Sequence, residues 1–157
     1  MFRDFKELLE CFRDHNVKYL IVGGYAVSFH SQPRATKDLD LFVQSDAENA
    51  NAIFEALAAF GASLANVTPS DFMDRGKFIR FGREPMAVDI LSTIDGVKFD
   101  EAWARRIEVV IEPTTGLKAF FISRSDLIAS KVAAGRMRDL ADVEEIRNAA
   151  AKEEPGG

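Results

Sequence analysis

The sequence YLIVGGYAVSFHSQPRATKDLDLFV, residues 19–43, decides the fold. It predicts a short buried strand over Tyr19–Val22, a break at Gly23-Gly24 and a helix from Tyr25 to about Ser31. A loop then leads to a second apolar strand, from Leu39 to Val43. Both strands are short apolar runs in which Asp40 is the one charged residue, and such runs are typical of strands buried inside a sheet.

Two aspartates, Asp38 and Asp40, stand at the entrance of the second strand. Because residues two apart on a strand point to the same side, their carboxylates project together while Leu39 and Leu41 turn into the core. Two carboxylates held this closely repel each other unless a cation lies between them. Oxygen ligands of this kind suit Mg²⁺ or Mn²⁺. The spacing therefore predicts a metal site, with a solvated strand end or a helix cap as the alternative.

The paired glycines predict a phosphate site beside these aspartates. Gly23 and Gly24 remove side chains where a strand passes into a helix, so backbone N–H groups and the helix N-terminus can approach a phosphate. A tight turn without a ligand is the alternative interpretation of a Gly-Gly pair.

The order strand, Gly23-Gly24, helix, Arg34-x-Thr36 and Asp38-x-Asp40 resembles the nucleotidyltransferase superfamily. Its DNA polymerase β-like palm carries a Gly-Gly or Gly-Ser turn and a metal-binding Asp-x-Asp. The Arg-x-Thr-x-Asp-x-Asp form is most similar to small bacterial members linked to abortive infection and toxin–antitoxin systems. The resemblance implies an α+β palm, with a mixed central sheet flanked by helices and further helices at the C-terminus.

A third acid, Asp89, interrupts the apolar run Val88–Leu91. A buried carboxylate needs a partner or a metal. The resemblance implies that Asp89 is the third carboxylate of the family, on a strand adjacent to the Asp-x-Asp strand. The alternative is an aspartate bonded to backbone amides at a strand end.

Local patterns place the remaining elements. Helices are predicted over Phe2–His15, Ala47–Phe60, Phe99–Ala104, from Asp126, and from Asp139 to about Ala150. Strands are predicted over Ser63–Val67, Lys77–Phe81, Met86–Leu91, Arg105–Ile111 and Leu117–Ile122, with a hairpin turn at residues 82–85 and a mobile connection over Asp71–Gly76.

Four further residues are assigned to nucleotide binding. The resemblance implies that Lys131 faces the triphosphate and that Asp139 orients Lys131 or the substrate; a solvated helix junction is the alternative. Arg34 could contact phosphate oxygens through its planar guanidinium, and Thr36 could position the aspartate loop, although both could simply order that loop. His30, near a helix end, is interpreted as a packing residue rather than a catalytic base.

The composition sets outer limits. At 157 residues, with 47% hydrophobic and 29% charged residues, we expect one domain over residues 1–151 and a disordered tail over 152–157. The net charge of −5 argues against a large non-specific nucleic-acid surface. A single cysteine, Cys11, excludes an intrachain disulfide. No signal peptide or membrane-length apolar run is present, so we expect a cytoplasmic protein without a membrane partner.

The residues and the resemblance together predict an Mg²⁺-dependent enzyme. It would move a nucleotidyl group from an NTP such as ATP to an unknown acceptor, which could be RNA, a protein hydroxyl or a small molecule. The alternative is a catalytically silent binding or regulatory module, one half of a toxin–antitoxin pair with a cognate partner protein. A haloacid-dehalogenase-like phosphatase ranks lower, because its first aspartate follows a strand whereas Asp38 and Asp40 precede one.

Overall fold

The computed structural model describes residues 1–82 and 86–153. Its strands are β1 (Tyr19–Val22), β2 (Leu39–Val43), β3 (Phe78–Phe81), β4 (Val88–Leu91), β5 (Ile107–Glu112) and β6 (Leu117–Phe121). Its α-helices are α1 (Arg3–Asp14), α2 (Gly23–His30), α3 (Ala47–Phe60), α4 (Phe99–Ala104), α5 (Arg124–Ala134) and α6 (Met137–Glu153).

One mixed sheet contains the six strands, in the order β3-β4-β2-β1-β6-β5. The central strand β2 pairs antiparallel with β1 and parallel with β4. The edge strand β3 pairs antiparallel with β4, and β1 pairs parallel with β6. This mixed sheet with helices around it confirms the predicted fold class.

The two faces of β2 have different environments. Leu39, Leu41 and Val43 have no exposed surface and belong to the hydrophobic core. Helices α1 and α3 contact each other and line a groove that also includes Val88, the neighbour of Leu39 across the β2–β4 pair. Because strand residues alternate, Asp40 projects from the opposite face, where α5 borders a cavity.

Most predicted elements are confirmed, and β1, β2, α3 and α4 have the predicted boundaries. The side chain of Asp46 caps α3 by accepting a hydrogen bond from the Asn49 amide at 2.7 Å. Gly61 ends α3 in the left-handed conformation, with φ 95°. Helix α2 begins at Gly23 rather than Tyr25, so the glycines form its first turn.

The strand predicted over Ser63–Val67 is wrong. A turn with Asn66 at φ 65° breaks the extended pattern. The chain then enters a 3₁₀ helix, Pro69–Met73, where Thr68 and Asp71 form a capping box and Phe72 is buried. This 3₁₀ helix occupies the start of the connection predicted as mobile over Asp71–Gly76.

Two predictions lie partly outside the described residues. The pairing of β3 with β4 confirms the predicted hairpin, but residues 83–85 of its turn are outside the described range. Of the tail predicted over residues 152–157, Lys152 and Glu153 belong to α6, and residues 154–157 are outside the described range.

Candidate active site

Three carboxylates converge on the sheet face opposite α1 and α3. In the parallel β2–β4 pair, Asp40 lies directly beside Asp89, and Asp38 immediately precedes β2. The predicted adjacency of Asp89 to the Asp-x-Asp strand is therefore confirmed. We refer to Asp38, Asp40, Asp89 and Arg80, the arginine that contacts Asp38 and Asp89, as the carboxylate cluster.

Burial and the neighbouring acids change the protonation of Asp40. Burial is the largest cause, followed by the negative charge of Asp89, a hydrogen bond with Asp89 and the charge of Asp38; together they raise the pKa of Asp40 to about 7. The positive charge of Arg80 opposes this rise. Asp40 therefore keeps its proton to a higher pH than an ordinary aspartate does, and the protonated carboxyl can donate a hydrogen bond to Asp89.

Arg80 supplies the positive charge within the cluster. Its Nε and Nη2 donate to Asp89 Oδ1 and Oδ2, both at 2.9 Å, and Nη2 also lies 3.3 Å from Asp38 Oδ2. This is the bidentate geometry in which a guanidinium binds a carboxylate most strongly. Arg80 was not predicted from the sequence, because its position opposite Asp89 depends on the β3–β4 register.

The donor set of the cluster fits a divalent metal. Asp38 Oδ1 is buried and has no hydrogen-bond partner among the described residues, and an orphaned buried carboxylate oxygen is costly unless a cation binds it. However, across residues 1–82 and 86–153 no three acidic, histidine or cysteine side chains are already arranged as ligands of one ion. The chemistry therefore suits Mg²⁺ or Mn²⁺, while Arg80 occupies part of the ligand set.

The glycine turn lies directly against the aspartates. Gly23 has φ +66°, and a Cβ added there would overlap the Asp40 carboxylate. A Cβ on Gly24 would lie 2.7 Å from Cγ2 of Thr36, whose hydroxyl donates to the Arg34 carbonyl at 3.3 Å. Glycine is thus required at Gly23, where φ is also positive, and a side chain at Gly24 would force the Thr36 side chain to move. The backbone of the first turn of α2, rather than side chains, therefore faces the carboxylate cluster.

A cavity of about 400 Å³ joins this turn to the C-terminal helices. Gly23 and Asp40 line one side, and Lys131, Arg136 and Asp139 line the other. The fold therefore brings Lys131 and Asp139 to the cavity that Asp40 of the carboxylate cluster lines. A second cavity, of about 570 Å³, borders Phe42 and shares Thr93 and Ile94 with the first. Since Phe42 follows Asp40 by two residues, both cavities lie along one face of β2.

The cations assigned to phosphate are held by carboxylates of α6. Lys131 Nζ lies 3.0 Å from Asp142 Oδ2 and 3.5 Å from Asp139 Oδ1, and its side chain is only 14% exposed. Arg136 Nε binds the nearly buried Asp139 Oδ2 at 2.6 Å. The hydrogen bond from Arg136 lowers the pKa of Asp139, and the charge of Lys131 contributes to the same effect.

Asp142, which the sequence patterns did not single out, bridges two elements of the site. Its Oδ1 accepts from Arg34 Nη1 at 3.1 Å, while its Oδ2 binds Lys131. Burial would raise the pKa of Asp142, but the hydrogen bonds from Lys131 and Arg34 outweigh burial and lower it. We refer to Lys131, Asp139 and Asp142 with Arg34 and Arg136 as the helix cluster.

One family model matches nearly the whole chain. Residues 1–149 match the family described as "Nucleotidyltransferase of unknown function (DUF6036)". The chain belongs to this nucleotidyltransferase family. No curated protein sequence matches it.

Two solved structures share the fold of this nucleotidyltransferase. One is the lincosamide antibiotic adenylyltransferase LnuA bound to lincomycin, with 13% identity, a TM-score of 0.58, and coverage of 95% of this chain and 98% of that chain. The other is an antigenic nucleotidyltransferase-like protein from Paracoccidioides brasiliensis, with 18% identity, a TM-score of 0.56, and coverage of 96% and 75%. At these identities the likeness concerns the fold.

His30 has a structural role in the nucleotidyltransferase. It is 5% exposed, and its Nε2 donates to the Ile122 carbonyl at 2.8 Å, which ties the end of α2 to the segment after β6. Burial lowers the pKa of His30, so the ring is neutral at physiological pH. These contacts agree with the packing role predicted from the sequence.

No helix in the described part of the nucleotidyltransferase has both the length and the apolar character needed to cross a bilayer.

Proposed function

We propose that this nucleotidyltransferase moves a nucleotidyl group from an NTP to an acceptor hydroxyl and requires Mg²⁺ or Mn²⁺. The observation that carries the proposal is the shared cavity, which has Gly23 and Asp40 on one side and Lys131 on the other. A glycine at a strand–helix turn, one carboxylate of the cluster and a lysine thus surround one space, and such groups can hold a triphosphate together with its metal.

Each group has a separate task in this proposal. Asp38, Asp40 and Asp89 would hold the metal, which when bound would polarise the phosphate and neutralise developing charge. The N–H groups of the Gly23-Gly24 turn would donate to phosphate oxygens at the start of α2, since neither residue carries a side chain of its own.

Two cationic side chains, Lys131 and Arg34, would bind the phosphates. Lys131 already points toward the cavity wall and would exchange Asp142 for a phosphate oxygen. Asp139, fixed by Arg136, would keep Lys131 in position. Arg34 would contact phosphate or, while bonded to Asp142, hold the loop that contains Thr36.

The acceptor would enter through the second cavity. That cavity borders Phe42 and continues along the face of β2 from the carboxylate cluster. It is large enough for a nucleoside-sized group, so a small molecule, an RNA 3′ end or a protein side-chain hydroxyl would each fit. The adenylyltransferase LnuA, similar in fold, was solved with lincomycin, a small-molecule ligand.

The test is turnover of α-³²P-labelled NTPs in Mg²⁺, with total RNA, protein extract and small-molecule hydroxyl compounds as acceptors. Wild type should transfer label to one acceptor class, and Asp89→Asn should lose at least a hundredfold in rate. Asp4→Asn, which removes an exposed carboxylate on α1, should match wild type. Label transfer that is equally fast with Asp89→Asn would contradict the proposal.

A catalytically silent module is the second candidate, and the Arg80 contacts favour it. Because Arg80 binds both oxygens of Asp89, the cluster has a cation of its own without any metal. A silent module would bind NTP without turning it over. Pairing with a cognate toxin or antitoxin and a cytoplasmic location stay predictions; co-purification of the tagged chain with a genomic neighbour's product would test the pairing.

A further inference from the structure

Arg80, Asp89 and Asp40 form a row across three neighbouring strands. Arg80 on the edge strand β3 is opposite Asp89 on β4, and Asp89 is beside Asp40 on β2. The guanidinium reaches Asp89 with two bonds of 2.9 Å and Asp38 with one contact of 3.3 Å. A single arginine thus links two of the three carboxylates.

We propose that Arg80 is the internal counter-cation of the carboxylate cluster, and that a divalent metal binds only when its guanidinium leaves Asp89. This inference rests on the proposed metal-dependent function. It makes Arg80 a positioning residue that sets metal affinity, in addition to the three aspartates.

Competition follows from the geometry of Asp89. Both of its oxygens accept from Arg80, so lone pairs that a metal would use are already directed at N–H groups. A metal on the same carboxylate would also lie beside a fixed positive charge, and like charges at this range repel strongly. The arrangement therefore favours either the guanidinium or the metal, and disfavours both together.

Because β3 is an edge strand, the Arg80 side chain can move into solvent. Its side chain is 43% exposed, whereas that of Asp89 is 12% exposed. Rotation about the arginine side chain can move the guanidinium into solvent without moving β4. A released guanidinium at the rim of the site would be available to a phosphate of the nucleotide, since its fork also matches phosphate oxygens.

This exchange links the two ligands. Without nucleotide, the metal must displace Arg80 into water, and its apparent affinity is lowered. With nucleotide, phosphate gives Arg80 a new partner, so metal and nucleotide should bind cooperatively. Replacement of Arg80 by a neutral residue should raise metal affinity and reduce this cooperativity.

The test is isothermal titration calorimetry with Mn²⁺ on wild type, Arg80→Gln and Arg147→Gln, each with and without a non-hydrolysable NTP. Arg147 is a matched control, because it is an exposed arginine on α6 that borders neither cavity and forms no ion pair within the described residues. We expect Arg80→Gln to bind Mn²⁺ at least tenfold more tightly than wild type without nucleotide. We expect Arg147→Gln to stay within about twofold of wild type, as exposed surface charges are screened.

Thermal melts show whether the variant remains folded. Arg80→Gln should melt lower than wild type without metal, because three carboxylates lose their cation, and Mn²⁺ should restore the loss. Arg80→Lys keeps the charge without the planar fork, so its Mn²⁺ affinity should lie between the two. It also serves as the test variant if Arg80→Gln does not fold.

The outcomes separate this inference from the proposed function. If wild type binds Mn²⁺ and both Arg80 variants bind it equally or more weakly, Arg80 does not compete and the inference is overturned alone. If neither wild type nor the variants bind Mn²⁺ even with nucleotide, the metal-dependent function is overturned and the inference with it.

Discussion

The Asp40→Asn substitution should stabilise the metal-free protein more at pH 8 than at pH 5. The pKa of Asp40 is about 7 in the folded protein against an ordinary 3.8, chiefly through burial and then through Asp89. The folded state therefore holds a proton on Asp40 over a pH range in which the unfolded chain has lost it. The contribution of this carboxyl to the free energy of unfolding is therefore fully present below about pH 4, and it is lost as the pH rises through about 7.

The magnitude follows from the two pKa values. The full difference corresponds to about 4 kcal/mol at about 1.4 kcal/mol for each factor of ten in the protonation equilibrium. Between pH 5 and the folded pKa of about 7, the ceiling is about 2.7 kcal/mol. Asp40 is not fully buried and shares its proton with Asp89, so solvent screening should reduce the measured difference to about 1–2 kcal/mol. Asparagine keeps the shape and a hydrogen-bond donor but does not titrate.

Other groups also titrate in this range, so the variant must be compared with wild type at both pH values. Burial lowers the pKa of His30, and protonation of the unfolded chain below pH 6.5 therefore makes stability rise with pH. That contribution has the opposite sign to the Asp40 contribution. Because His30 is present in both proteins, it cancels in the difference between them.

The assay is urea unfolding followed by circular dichroism in EDTA at pH 5 and pH 8. Wild type should lose about 1–2 kcal/mol more than Asp40→Asn between the two pH values. Asp95→Asn removes an exposed carboxylate that lines the same cavity, and it should keep the wild-type pH dependence. If the free energy of unfolding has the same pH dependence in wild type and Asp40→Asn, the reasoning is refuted, since folding would then leave the pKa of Asp40 unchanged.

Three further predictions concern the site. NTP should bind only with Mg²⁺ or Mn²⁺, and equal calorimetric affinity in EDTA would remove the metal bridge. Lys131→Ala should weaken NTP binding by ten- to a hundredfold, about 1.5–3 kcal/mol, with partial recovery in Lys131→Arg; unchanged affinity would confine the site to the glycine turn and the three aspartates. Gly23→Ala should destabilise by about 1–3 kcal/mol in urea, because φ is +66° and the new Cβ meets Asp40. Gly116 has φ +72° and no neighbouring atoms, so Gly116→Ala should lower the free energy of unfolding less than Gly23→Ala does. Equal losses would mean that the Asp40 side chain can move away from the new Cβ at no energetic cost.

Local patterns were sufficient for the centre of the fold. The boundaries of β1 and β2 follow from short apolar runs between a polar connection, a Gly-Gly pair and an Asp-x-Asp. The burial of Leu39 and Leu41 opposite Asp40 follows from strand alternation alone. Asp89 needed more, because only the resemblance to a family indicated which strand would lie beside β2.

Register and long-range pairing explain what the sequence did not reveal. Arg80 lies in a strand whose exposed and half-buried residues alternate, so nothing local separates it from a solvated arginine. Its function depends on the residue opposite it, which the β3–β4 register determines. Asp142 is similar, since its partners Arg34 and Lys131 are 108 and 11 positions away. Ser63–Val67 failed for a local reason: the turn at Asn66 ended a weak alternation.

The charges of the two clusters explain why the site should need a metal. The carboxylate cluster has three acids and one arginine, and the helix cluster has three cations and two acids. Formal charges are thus −2 and +1, and a proton on Asp40 makes the sum zero. Every cation in these clusters already contacts a carboxylate, so a triphosphate brings up to four negative charges into a site whose positive charge is already paired. We therefore expect binding to need added positive charge, and the orphaned Asp38 Oδ1 is a carboxylate oxygen that a metal could bind.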